Sequence, residues 1–553
     1  MPKKGSGIKQ LHDYLTDAYQ QTAAGNLSDA ERLWLQVIAL DPDHQEAHEQ
    51  LVMIALRRGD VSKAEQFLKQ LVYKHPNEPL YGERLASFLA HQGRLEEAAK
   101  HYSTVLTIAP SRTKTRFNYA RLLKQMGRRQ DAIAEYRECI DQGIERPEEV
   151  FSNISVAYTE LHQNQQASAA LETALQHNSD YIPALFNLGL LREEQGSWPQ
   201  AVSLYERILQ QKPLHPGALV HLANGYVGTE DIKRLSDQLL SSLSHNDTNE
   251  LDQEELLYAL GKLYDQTGQF DDSFGYYQQA NELSKNRCEA YDRIGQERLV
   301  SNLIAHCNDR WLDSIKPVSQ ATFVFVCGMF RSGTTLLEQM LAMHPALQSG
   351  GEIDFFQRHL SPFPDALLAM GMDQLRSLGQ GYIDYLDECF TGEHVVVNKR
   401  PDNFLIAGLI KGLFPNSKIL LTQRGVLDNC LSLYFQPFVQ AQSYANDLID
   451  SGHYYQQHTR LISHWQTLLG DNLLTVQYES LVKSTRESLQ EALAFLDLEW
   501  SEDCLRFHET KNRIRTVSAH QVRKPLYSQS IARWRNYQQP LEALRTYLGP
   551  AAS

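Results

Sequence analysis

Glycine returns at a fixed interval near the start of this chain: Gly25, Gly59, Gly93 and Gly127 stand 34 residues apart. Five positions after each comes an alanine, at Ala30, Ala64, Ala98 and Ala132. A proline or turn falls near the end of each unit, as in Asp41-Pro42, His75-Pro76 and Ala109-Pro110. A period of this length fits one helical hairpin. The glycine ends a helix, the alanine lets the next helix pack closely on it, and the proline closes that second helix. A single hairpin cannot bury its own apolar face, so the units must stack. The expected result is a right-handed solenoid with a concave face.

The pattern continues less strictly. Asn164 replaces the glycine after a short insertion around 143–148, and Ala169 keeps the alanine. Gly196 with Ala201 restores the unit, Gly228 marks a degenerate one, and Gly268, followed by Ser273, Phe274, Tyr276 and Tyr277, reads as a last hairpin. About seven or eight hairpins are expected between roughly residues 8 and 300, with the period of tetratricopeptide repeats. Their Leu, Ala and Tyr positions read as helix-packing core. The array as a whole reads as a groove for a protein or peptide, in which no residue stands out as a ligand contact.

After Pro317 the pattern changes. Phe323–Cys327 is a short run of β-formers, followed by Gly328-Met329-Phe330-Arg331-Ser332-Gly333. Thr334 and Thr335 then open an apolar-periodic helix. Strand, glycine-flanked loop and helix make a phosphate cradle, in which loop N–H groups and the helix N-terminus point at one anion. The loop has the glycine spacing of a Walker A box, but Thr334 stands where its lysine belongs. That argues against hydrolysis of ATP or GTP, and Arg331 supplies a cation instead. Three more apolar runs end in polar residues: Val395–Val397 before Asn398-Lys399, Ile419–Thr422 before Gln423-Arg424, and Leu473–Val476 before Gln477-Tyr478-Glu479. Strands alternating with helices imply a parallel sheet, with ligands at the carboxyl ends of its strands. The loop, Lys399, Arg424 and Tyr478 should therefore crowd one edge as a pocket for a multiply charged anion.

The run Phe330-Arg331-Ser332-Gly333-Thr334-Thr335-Leu336-Leu337-Glu338-Gln339, with Gly350-Gly351-Glu352 after it, closely resembles the 5′-phosphosulfate loop of sulfotransferases. Within them it looks most like the protein-tyrosine sulfotransferase branch and its bacterial relatives that carry tetratricopeptide repeats. The resemblance implies an α-helical repeat solenoid over 1–310, then an α/β P-loop-like domain with a central parallel sheet over 318–553. It implies 3′-phosphoadenosine 5′-phosphosulfate (PAPS) as donor, adenosine 3′,5′-bisphosphate (PAP) as product, and no metal. Arg331, Ser332, Gly333, Thr334 and Thr335 are then the 5′-phosphosulfate loop. Arg424, and Ser432 eight residues on, would grip the 3′-phosphate. Glu352 would be the general base, with Asp354, His344 and His359 as rivals. Lys399 would stabilise the bridging oxygen and the sulfuryl group, with Arg400 as competitor. Ser518 and Arg533, in a segment resembling the closing part of repeat-bearing sulfotransferases, would contact the nucleotide, with Tyr478 near its adenosine. Trp534 reads as packing.

A net charge of −14 speaks against a general nucleic-acid binder. The opening residues lack the apolar core of a signal peptide, and no run reaches the roughly 20 apolar residues of a membrane span. Seven scattered cysteines with no CxxC pair suggest neither zinc nor a disulfide framework, so a cytoplasmic protein is expected. The reading is sulfuryl transfer to a hydroxyl of a protein or peptide, held by the repeat groove. The alternatives are a sulfotransferase acting on a small molecule or glycan, a P-loop kinase or nucleotidase, and a scaffold with an inactive nucleotide domain. The oligomeric state is left open.

Overall fold

The computed structural model describes residues 4–161, 163–225, 232–245, 248–390, 392, 394–438, 440–509 and 529–552. Helices pair along the first half, from Lys4–Ala23 with Leu27–Leu40 to Glu250–Gln266 with Phe270–Arg287, as eight hairpins. Contacts divide the chain into two compact units, Met1–Leu191 and Arg192–Ser553.

In the first unit the periodic residues do what their spacing requires. Gly25, Gly59, Gly93 and Gly127 take φ of 79°, 72°, 75° and 78°, the left-handed region that an L side chain resists. There the backbone folds back on the helix just ended, and the N–H of Asp60 donates to the carbonyl of Ala55 at 2.9 Å. Ala30, Ala64, Ala98 and Ala132 are all 0% exposed, so any larger side chain would push two helices apart. The period also sets polar contacts between hairpins. Tyr81 Oη donates to Glu49 and Thr115 Oγ1 to Glu83, both at 2.8 Å. Donors and acceptors are each displaced by the 34-residue repeat.

The second unit holds a five-stranded, all-parallel sheet in the order β2-β3-β1-β4-β5. The strands are β1 (Val324–Gly328), β2 (Leu347–Gly351), β3 (Val395–Lys399), β4 (Lys418–Gln423) and β5 (Leu473–Gln477). Strand β2 is not legible as an apolar run, because Leu-Gln-Ser-Gly-Gly carries one large apolar residue and lies at the sheet edge. Alternate residues of β1 face opposite ways. Phe325 and Cys327 enter a core with the helices Arg293–His306, Met372–Cys389 and Leu448–Leu469. Val324 and Val326 enter another with Thr334–Leu341 and Thr485–Phe495.

The change of element type falls between the helix Asp309–Ser314 and β1. The division by contacts falls earlier for a packing reason. Tyr277, on the helix Phe270–Arg287, stacks on Phe435 with centroids 3.9 Å apart, and Asn281 donates to the Tyr434 carbonyl at 2.9 Å. Val300 and Leu303 are fully buried against the sheet's helices. The last helical pairs thus share cores with the α/β fold.

Candidate functional site

All five strands run the same way, so their carboxyl ends lie along one edge. From β1 the chain turns through Met329–Gly333 into the helix Thr334–Leu341. The turn is tied down from inside. Ser332 Oγ donates to the Met329 carbonyl at 2.6 Å and shares a hydrogen bond of 2.7 Å with Thr422 Oγ1 on β4. Gly333 caps the helix at φ 103°, and a Cβ there would lie 2.5 Å from the Tyr478 ring. Ser332, Thr334 and Thr335 are buried, and the last two open the helix whose N-terminus faces the turn. Arg331 takes φ 68°.

The two expected anion grips meet at this turn. Arg331 Nε donates to Ser432 Oγ at 3.2 Å. Arg424, 6% exposed at the end of β4, donates through Nη1 to the Arg331 carbonyl at 3.1 Å and through Nη2 to the Ser530 carbonyl at 2.7 Å. Its buried Nε has no hydrogen-bond partner among the described residues. The guanidinium lies over the Tyr478 ring at 4.9 Å, and Tyr478 Oη shares a hydrogen bond of 2.7 Å with Ser530 Oγ. Asp428 holds the tail beside this grip, its carboxylate accepting from the N–H groups of Ala532 at 2.6 Å and Trp534 at 2.9 Å.

A second cluster forms at the ends of β2 and β3. Lys399 is 0% exposed, and its Nζ donates to Glu352 Oε1 at 2.6 Å. The neighbouring groups are otherwise engaged. Arg400 pairs with Asp402 at 2.8 Å, and Asp354 with Arg358 at 2.8 Å. Burial pushes the Asp402 carboxyl up, opposed by Arg400 and reinforced by the charge of Glu352. His344 uses both ring nitrogens, on the Ala346 N–H and the Glu499 carbonyl, and closes the loop helix. His359 stacks on Phe355 and bonds the Phe355 carbonyl at 2.8 Å.

Beside both clusters opens a cleft of about 690 Å³. Phe330, Arg400 and Gln357 line it, each close in sequence to Arg331, Lys399 or Glu352, and Tyr291, Arg298 and Tyr454 form further wall. Two tail residues fall outside this picture. Arg533 turns to Asp265 at 2.6 Å and lies over the Phe435 ring at 5.0 Å, and Ser518 lies outside the described residues. Asp428 and Glu338, the latter inside the run that carries the resemblance, show no role in the sequence, because an acidic residue on an apolar-periodic helix does not reveal what it will touch.

Residues 324–502 match the sulfotransferase family, and 21–86, 113–142, 154–216 and 254–287 match tetratricopeptide repeats. The chain joins tetratricopeptide repeats to a sulfotransferase-family domain. An uncharacterized protein of Aquifex aeolicus is 30% identical over 303 residues, 51% of this chain and 40% of that one. Protein-tyrosine sulfotransferase 2 of Gallus gallus is 27% identical over 232 residues, 38% of this chain and 62% of that one. Protein-tyrosine sulfotransferase 1 of Danio rerio is 26% identical over 235 residues, again 38% of this chain, and 65% of its own. The chain thus spans well under two thirds of the Aquifex protein and just under two thirds of the two vertebrate ones. Among the described residues, no helix is long and apolar enough to cross a membrane.

Proposed function

We propose that the protein transfers a sulfuryl group from PAPS to a hydroxyl of a protein or peptide. One observation carries this reading: Arg331 contacts both Ser432 and Arg424 at the mouth of a helix-capped turn. The residues fit such a donor. The turn and helix start offer N–H groups to the 5′ end, and Arg424 has a buried Nε with no partner among the described residues for a 3′-phosphate oxygen. The donor supplies an activated sulfuryl group on a good leaving phosphate.

What the chain itself does is position, charge and accept a proton. Arg331 and the loop amides hold the 5′ end in line with the incoming oxygen. Lys399 carries a fixed positive charge in a water-poor spot, where it counts most as negative charge builds on the bridging oxygen. Glu352 takes the acceptor's proton, and its contact with Lys399 keeps the carboxylate aimed. Ser332, Thr334 and Thr335 shape the turn. Tyr478 lies under Arg424 and flanks the nucleotide. Arg533 braces the tail through Asp265 rather than touching donor.

The acceptor approaches through the cleft beside Phe330 and Arg400, whose volume holds more than one side chain. The sulfotransferase relatives named for protein tyrosine, and repeats of a type that binds peptides, support a protein acceptor. Seven free cysteines suit a reducing compartment, in keeping with the cytoplasm. The test is transfer of radiolabelled sulfate from PAPS into a proteome lysate and into tyrosine-containing peptides, with the labelled residue identified. Thermal shift with PAP against ATP–Mg accompanies it. Stabilisation by ATP–Mg and not by PAP would overturn the donor assignment.

A further inference from the structure

Glu338 belongs to no element of the proposed chemistry, yet it is among the most buried charged groups of the domain, at 2% exposure. It sits on the helix Thr334–Leu341, just past the residues that open it. Its Oε1 accepts from Ser349 Oγ at 2.6 Å and from the Gly351 N–H at 3.0 Å. Its Oε2 accepts from Gln339 Nε2 at 3.4 Å. A carboxylate taken this far out of water is costly unless its lone pairs are used. Here they are used on one short stretch of backbone, directly ahead of Glu352.

That stretch is irregular. Ser349 pairs with Val397 and Gly351 with Asn398, so Gly350 is an extra residue in β2 opposite β3. A bulge of this kind re-aims the side chains that follow it, since strand residues alternate between faces. Gly351 takes φ 63°, and a Cβ on Gly350 would lie 2.7 Å from Val396 Cγ1. The bulge therefore rests on two glycines and on the Glu338 carboxylate that ties their backbone. Its product is a Glu352 side chain meeting Lys399, the residue after the bulge's partner Asn398.

We infer that Glu338 is a positioning residue: it clamps the bulge at Ser349–Gly351 and so fixes where the Glu352 carboxylate sits relative to Lys399 and to the donor turn on its own helix. The inference rests on the reading of Glu352 as the base. An amide at this position still offers one oxygen to both donors, whereas an apolar side chain of the same length offers none.

The experiment compares Glu338→Met, Glu338→Gln and Ser349→Ala in the full chain. It reads PAP affinity, kcat and KM with PAPS and a tyrosine peptide, and crystal structures of the variants. Glu338→Met is expected to lower kcat by roughly 10–100-fold. PAP affinity should stay within about twofold, and Glu352 should be displaced from Lys399. Glu338→Gln should recover most of that loss. Should Glu338→Met fail to fold, Ser349→Ala removes one of the two bonds and should give a smaller kcat loss with the same displacement. An intact Glu352–Lys399 contact in Glu338→Met, or in Ser349→Ala where that is the variant that folds, overturns the clamp whatever the activity. A wild-type protein that binds no PAP and transfers no sulfate overturns the function reading instead, and leaves the geometric result standing.

Discussion

The Nζ of Lys399, sealed from solvent at the end of β3, lies 2.6 Å from Oε1 of Glu352, which follows β2. The pair is lopsided. Glu352 keeps a 35% exposed side chain and can reach an incoming hydroxyl, while Lys399 has no route to water. A buried ammonium needs a partner, and the Glu352 carboxylate is the one within reach. Glu352→Gln removes the proton acceptor and leaves the Arg331–Arg424–Ser432 grip untouched. Transfer should fall by about 10²–10⁴-fold, with PAP binding unchanged by calorimetry. A fully active Glu352→Gln protein would transfer the base assignment to another group.

The grip itself makes a separate prediction. Arg331 and Arg424 are coupled through the Arg331 carbonyl, and Ser432 joins them from the following helix. Removing either guanidinium removes charge-assisted bonds to a phosphate, each contributing roughly 1.5–3 kcal/mol. Arg331→Ala and Arg424→Ala should each weaken PAP binding by about tenfold to a hundredfold, read as a lost thermal shift. Ser432→Ala, which removes a neutral hydroxyl, should cost less than either. Equal PAP affinity in all three variants would place the nucleotide elsewhere.

Much of this site was readable because its residues stand at the ends of apolar runs. Arg331, Lys399 and Arg424 each follow a buried strand or its turn, and a parallel sheet gathers such positions at one edge. Glu352 was readable from motif alone, since β2 lacks the apolar character of a strand and its bulge leaves no trace in composition. Glu338 and Asp428 were illegible for a different reason. Their work is to accept backbone N–H groups from segments distant in sequence, and only the folded chain brings those segments near. Arg533 adds a contact that its place in the chain does not disclose. Its place in the tail suggested a nucleotide contact, but Asp265 on the helix Glu250–Gln266 takes its charge.

Gly333 should tolerate no side chain. Its φ of 103° is strained for any L residue, and a Cβ would lie 2.5 Å from the Tyr478 ring that Arg424 covers. Gly333→Ala must either shift the turn or push Tyr478 off Arg424. A cost of about 1–3 kcal/mol is expected, read as a lower urea midpoint, together with weakened PAP binding. Loss of stability with wild-type PAP affinity would mean that the turn does not hold the donor.

His458 gives the domain an acid limit. It sits on the helix Leu448–Leu469 with its ring edge-on to Phe404 at 4.6 Å, and neither ring nitrogen has a partner among the described residues. Burial pushes its pKa down from 6.5 to about 3. Above the unfolded value the ring is neutral in both states and adds no pH dependence. Between that value and about 3, the unfolded chain binds a proton that the folded one refuses. Stability is therefore present at neutral pH and lost as pH falls through this window, by up to about 1.4 kcal/mol per unit from this group. His458→Phe keeps an aromatic ring against Phe404 and cannot titrate. Urea midpoints for the two proteins at about pH 7, 6 and 5 should diverge steadily toward acid, the variant losing less. Parallel curves would mean that the ring finds water or a proton acceptor in solution.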